Sequence, residues 1–127
     1  MDCKDGPQYA LTLRTVPAAV PAGRQLVKAM LRFRALPELK DDATLVTAEL
    51  VGNAIRYGQE IVLLLLLDDQ RRVVVQVWDA DPELPVLRDP EELDEGGRGL
   101  LLVKMCADEW GCTPCALGGK IVWAKIK

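Results

Sequence analysis

Three polar residues recur at helical spacing in an otherwise apolar stretch, residues 45–57. Glu49, Asn53 and Arg56 stand at i, i+4 and i+7, so at about 100° per residue they share one side of a helix. A carboxylate beside an amide oxygen is a partial ligand shell for Mg²⁺, which takes few protein ligands and keeps water or phosphate for the rest. We call these residues the polar stripe. The competing interpretation is a solvated stripe without function.

Two further segments carry groups that suit an anionic ligand. A glycine cluster, Gly96 to Gly99, directly precedes an apolar segment that begins at Leu100. Glycines allow close backbone approach, and free amides at a helix N-terminus bind phosphate, although such clusters are more often plain turns. The cluster matches neither the P-loop nor the dinucleotide-binding motif. Asp79 ends an apolar run and is either a strand-end turn carboxylate or a ligand group.

The elements that position these groups follow from apolar periodicity and from Pro and Gly. Helices are predicted from beyond Pro21 to about Leu36, from Asp41 and Asp42 to Arg56 with Gly58 as the stop, and from Leu100 to about Ala107. Strands are predicted over an edge segment, Tyr9 to Val16, over a hairpin of Ile61 to Leu67 and Val73 to Trp78, and over Ile121 to Ile126. The long connection from Asp79 to Gly99 is typical of a lid or binding loop. This order predicts an α+β fold, a two-layer sandwich of one mixed, mostly antiparallel sheet with helices on one face.

Composition excludes several classes of function. With 127 residues, half of them apolar, the chain is expected to form a single domain over residues 1–127. The net charge of -3 argues against direct nucleic-acid binding, and no apolar run is long enough for a membrane helix, so a cytoplasmic location is expected. The chain has no histidine, which excludes a Ser-His-Asp triad, a Cys-His dyad and a phosphoacceptor histidine within it.

Taken together, these segments resemble the ATP-binding domain of the GHKL superfamily, which has the Bergerat fold. Residues 49–54, Glu-Leu-Val-Gly-Asn-Ala, are similar to its N box, residues 77–82 to its G1 box, and Gly97-Arg98-Gly99-Leu100 to its G2 box. The resemblance places the ATP-binding core at about residues 41–127. Residues 110–111 and 118–123 are similar to the end of this domain in the small bacterial anti-sigma-factor serine kinases.

The resemblance implies ATP and Mg²⁺ as ligands and a role for each residue. Asn53 would bind Mg²⁺, Glu49 would act as the base or orienting group, and Asp79 would accept the adenine amino group. Gly97, Gly99 and the start of the helix at Leu100 would line the phosphates, with Arg56 and Arg98 as weaker phosphate ligands.

The resemblance also implies partners. They are a STAS-type anti-anti-sigma protein, a sigma factor, or both, and a second copy of the chain packed through the first strand and helix. A nucleotide-dependent binding module without catalysis, or an ATPase subunit completed by a partner, stays open. Asp81 departs from the Asp-x-Gly pattern of the G1 box, and Ile121 stands where a hydroxyl residue is usual, which would remove a polar contact near the adenine.

Overall fold

The protein is described by a computed structural model that covers residues 8–57, 60–68, 70–80, 102–116 and 118–126. Within these ranges, two α-helices and one 3₁₀ turn are joined to five strands, and residues 102–106 are also helical. The elements are β1 (Gln8–Arg14), α1 (Ala19–Phe33), the 3₁₀ turn (Pro37–Leu39), α2 (Lys40–Tyr57), β2 (Glu60–Leu67), β3 (Val73–Asp79), β4 (Ala107–Pro114) and β5 (Lys120–Ile126).

The strands form one sheet in the order β1-β2-β3-β5-β4, and each of its four pairings is antiparallel. The hairpin between β2 and β3 is closed by Asp68, whose side chain accepts hydrogen bonds from the amides of Gln70 and Arg72 at 3.0 and 2.8 Å. Arg71 completes this turn with a φ of 61°. The α+β class and the mostly antiparallel sheet are therefore confirmed, and β1 is the edge strand that the sequence predicts.

The two helices pack against each other, and α2 packs across the sheet on β2, β3 and β5. The apolar core lies between these layers. It includes Val27, Met30 and Leu31 of α1, Val46, Leu50 and Val51 of α2, and alternate residues of β2, β3 and β5. Within the described ranges, no helix combines the length and the apolar character needed to cross a membrane.

Helix α1 and strand β4 differ from the sequence-based expectation. Helix α1 begins at Ala19 rather than after Pro21, because a proline in the first turn loses no hydrogen bond of the helix. Strand β4 was not predicted, since its segment contains Gly111, Pro114 and few apolar residues. This edge strand forms because β5 offers it a hydrogen-bonding partner, and residues 102–106 lead into it without a loop. Most of the predicted long connection lies outside the described residues.

Candidate functional site

The polar stripe lies at the margin of the buried face of α2. At about 100° per residue, Asn53 falls next to the direction of the buried Val46, while Glu49 and Arg56 lie farther toward solvent. Accordingly, Glu49 and Asn53 are half-buried and Arg56 is exposed in the last turn. The stripe is thus neither a fully solvated face nor part of the core. A carboxylate and an amide one turn apart are presented where helix and solvent meet, which suits an ion or ligand at this margin.

Asp79 is the last residue of β3, and its side chain is buried on the face of the sheet that the helices cover. The preceding residues on this face, Val77 and Val75, belong to the apolar core. The carboxylate is not isolated there, because Lys120 Nζ donates a hydrogen bond to Asp79 Oδ1 at 2.9 Å. The side chains of Lys120 and Asp79 are only 6% and 3% exposed. We call them the buried ion pair.

The strand register explains why Lys120, rather than Ile121, is the neighbour of Asp79. Lys120 is paired with Asp79 across β3 and β5, whereas Ile121 is paired with Trp78 and so faces the opposite side of the sheet. The expectation that Ile121 removes a polar contact near the adenine stays a prediction, but Ile121 does not face Asp79. The position facing the carboxylate carries an ammonium group.

The turn between β4 and β5 contacts the end of β3 at two places. Trp78 Nε1 donates a hydrogen bond to the Gly118 carbonyl at 3.0 Å. Gly119 lies so close to the Asp79 carbonyl that a Cβ atom at residue 119 would collide with it. Gly119 also has a φ of 76°, a conformation that side-chain-bearing residues rarely adopt. These contacts fix the backbone on both strands of the buried ion pair.

Cys112 lies near the buried ion pair. It is paired with Val122 in the neighbouring strand, on the side of the sheet that the helices cover. Burial raises the pKa of the Cys112 thiol above its usual value, an effect that the charge of Lys120 opposes and that of Asp79 reinforces. The thiol is consequently protonated at neutral pH. In the described ranges Cys112 and Cys115 are free thiols.

The structure places four of the eight predicted site residues. Glu49, Asn53 and Arg56 share one side of α2, and Asp79 lies on the strand that α2 packs against. The other four, Gly97, Arg98, Gly99 and Leu100, lie outside the described residues. Lys120 was not among the predicted residues. The sequence does contain a sign of its role. Lys120 alternates with Val122, Ala124 and Ile126, so it lies on the buried face of β5, where a lysine requires a partner of opposite charge.

The described residues fit a nucleotide with Mg²⁺. The half-buried oxygens of Asn53 and Glu49 are hard donors, and the buried Asp79 carboxylate is an acceptor for an amino group. No three Cys, Asp or Glu side chains of the described ranges are grouped closely enough to hold a metal ion. A magnesium ion at Asn53 would therefore depend on phosphate and water for most of its ligands.

Comparison with known proteins identifies the family. The sequence profile of the family described as "Histidine kinase-like ATPase domain" matches residues 13–126. No curated protein matches the chain. The matched region includes the polar stripe, the end of β3 and all of β4 and β5. Since almost the entire chain is matched, the protein belongs to the histidine kinase-like ATPase domain family.

Proposed function

We propose that this domain binds Mg-ATP and acts as a serine/threonine protein kinase of the anti-sigma-factor type, with a STAS-type anti-anti-sigma protein as the phosphate acceptor. The observation that carries the proposal is the position of Glu49. Its carboxylate lies one turn from Asn53 at the half-buried margin of α2, beside the side chain assigned to the metal. A binding module without catalysis needs Asn53 but has no use for a carboxylate in this place.

Each residue has a distinct part in this reaction. Mg-ATP supplies the transferable phosphoryl group and the charge that offsets its negative oxygens. Asn53 holds the metal through its amide oxygen, and Glu49 orients the acceptor hydroxyl or takes its proton. Asp79 accepts the adenine amino group. Phosphoryl transfer is catalysed mainly by positioning and electrostatics, so this small set of side chains, with backbone amides of the glycine cluster, is sufficient.

A second candidate function is a nucleotide-dependent protein-binding module without phosphoryl transfer. The observation that favours it is the Asp81-Pro82 sequence in place of the Asp-x-Gly pattern of the G1 box. A side chain and a proline there alter the rim of the nucleotide site. In this case a sigma factor is the partner, and ATP controls whether the partner is held.

The first test is calorimetric titration of Mg-ATP into the wild type, Asn53→Ala and Glu49→Ala. We expect the wild type and Glu49→Ala to bind and Asn53→Ala to lose at least about tenfold in affinity, the size expected for a ligand to a charged group. Glu38→Ala, a change in the 3₁₀ turn, is the matched control and should bind as the wild type does. Absence of wild-type binding at millimolar ATP would contradict both candidate functions.

The second test separates the two candidates. Radiolabelled ATP is incubated with the domain and with purified STAS-type proteins from the same organism. Label transferred to serine or threonine by the wild type, and not by Glu49→Ala, supports the kinase. ATP binding without transfer to any of these proteins supports the binding module.

A further inference from the structure

The buried ion pair breaks the apolar pattern of the sheet at one place. On the face that the helices cover, β5 presents Val122, Ala124 and Ile126, and β3 presents Val73, Val75 and Val77, all buried. Only their paired end residues, Lys120 and Asp79, are charged. A buried ion pair is weak evidence for stability, because replacing it with apolar residues is often neutral or stabilising. Stability alone therefore does not explain its presence at the end of β3.

The two charged groups offer complementary hydrogen-bonding functions side by side. Asp79 accepts hydrogen bonds, Lys120 donates them, and their contacting atoms are 2.9 Å apart. An adenine base offers the reciprocal pair, a 6-amino donor next to a ring-nitrogen acceptor. Such an acceptor flanks the amino group on either edge of the base, N1 on one and N7 on the other.

We propose that Lys120 is a base-recognition residue, which donates a hydrogen bond to a ring nitrogen of adenine while Asp79 accepts one from the neighbouring 6-amino group. This inference rests on the proposed function, since it assigns the base-binding part of the same ATP site. It differs from the expectation drawn from sequence, which assigns the adenine amino group to Asp79 and gives Lys120 no role in the site.

The backbone around the pair supports this role. Trp78 Nε1 is bonded to the Gly118 carbonyl, and Gly119 lies against the Asp79 carbonyl, so the turn that precedes β5 packs closely on the end of β3. Recognition groups on paired strands keep their geometry better than groups on loops. Guanine carries a carbonyl at position 6 where adenine carries the amino donor, so the Asp79 carboxylate would face an acceptor. The pair therefore favours ATP over GTP.

The test measures binding of ATP, 1-deaza-ATP, 7-deaza-ATP and GTP to the wild type and to Lys120→Met. Each deaza analogue lacks one of the two candidate ring nitrogens and keeps the 6-amino group. We expect the wild type to bind one deaza analogue about tenfold more weakly than ATP, which is the loss expected for a hydrogen bond from a charged donor. Lys120→Met should bind ATP more weakly and bind that analogue as it binds ATP. A merely structural role for Lys120 would lower all affinities together and keep their ratios.

Two controls make each outcome decisive. Lys125→Met changes a lysine on the other face of β5 and should leave every ratio unchanged. Lys120→Arg keeps a hydrogen-bond donor and should retain part of the preference for ATP over the deaza analogue. The measurements on the wild type do not depend on the folding of any variant. Equal affinities of the wild type for ATP and both deaza analogues would overturn the role of Lys120 and leave the proposed function standing. Failure of the wild type to bind ATP would instead overturn the proposed function itself.

Discussion

At the scale of single residues, Thr47 shows that this core is not optimised for stability. Its side chain is fully buried, and its hydroxyl oxygen has no hydrogen-bond partner among the described residues. The methyl group of Thr47 lies next to Gly23 of α1, where side-chain carbons of Val51 and Leu63 also lie. A buried hydroxyl without a partner loses its bonds to water and gains none in return.

Replacing Thr47 with valine should therefore stabilise the fold. We expect Thr47→Val to raise the free energy of unfolding by about 1 kcal/mol, the lower end of the cost of an unsatisfied buried polar group. Urea denaturation followed by circular dichroism measures the change. Thr44→Val is the matched control on the same helix. There the hydroxyl is bonded to the Lys40 carbonyl at 2.6 Å and is accessible to solvent, so no gain is expected.

At the scale of elements, glycines in α2 and in the β4–β5 turn have opposite requirements. Gly52 lies inside α2, and a Cβ atom added there would meet no other group of the described residues within 4 Å. Gly119 has a positive φ and no room for a Cβ atom next to Asp79. The same substitution, glycine to alanine, should therefore stabilise one element and disrupt the other.

In α2, Gly52→Ala should raise the free energy of unfolding by about 0.5 to 1 kcal/mol, because alanine loses less backbone entropy in a helix. Nucleotide affinity should not change if the side chains of Glu49 and Asn53 are the ligand groups. Thermal unfolding measures the change in stability, and calorimetric titration of the same preparation measures the affinity for ATP. A loss of ATP affinity with increased stability would show that the ligand approaches the backbone of α2 at residue 52.

In the β4–β5 turn, Gly119→Ala should lower the free energy of unfolding by about 2 to 5 kcal/mol, from the left-handed backbone and the forced displacement of Asp79. The matched control is Gly118→Ala, where φ is also positive at 108° but no group in the part of the chain that the structure describes lies within 4 Å of the added Cβ atom. It should cost less than Gly119→Ala. Similar losses at the two positions would mean that the close approach to Asp79 adds nothing to backbone strain.

At the scale of the whole molecule, β1 and the end of α1 form one connected surface. Arg34 Nε donates a hydrogen bond to the Tyr9 hydroxyl at 2.7 Å, and its guanidinium group lies over the rings of Tyr9 and Phe33. Phe33 is nonetheless 75% exposed. A large exposed aromatic ring next to an edge strand is a common feature of protein interfaces. This surface coincides with the first strand and helix through which a homodimer is expected.

A homodimer through this surface predicts that Phe33→Asp shifts the protein toward monomer. The molar mass in solution, measured by sedimentation velocity over a concentration series, should fall from about twice the chain mass of 14.0 kDa toward that mass. Met105→Asp is the matched control, since Met105 is 71% exposed in the helical segment 102–106. A dimer that resists Phe33→Asp and dissociates with Met105→Asp would place the interface elsewhere.

Local patterns in the chain were sufficient for most elements and for the polar stripe. The apolar periods of α1, α2, β2 and β3 are properties of consecutive residues, and so is the spacing of Glu49 and Asn53 on one helix side. The family profile covers these segments. Strand β4 was not predicted because its own residues do not favour a strand. Its pairing with β5 is what stabilises it.

The buried ion pair depends on the fold alone. Asp79 and Lys120 are 41 positions apart in sequence, and which residue of β5 faces Asp79 is decided by the register between the two strands. A shift of one residue would have put Ile121 beside the carboxylate and Lys120 on the other face. The side-chain period of a strand is visible in sequence, but the alignment of one strand against another is settled by packing and by the turns at their ends.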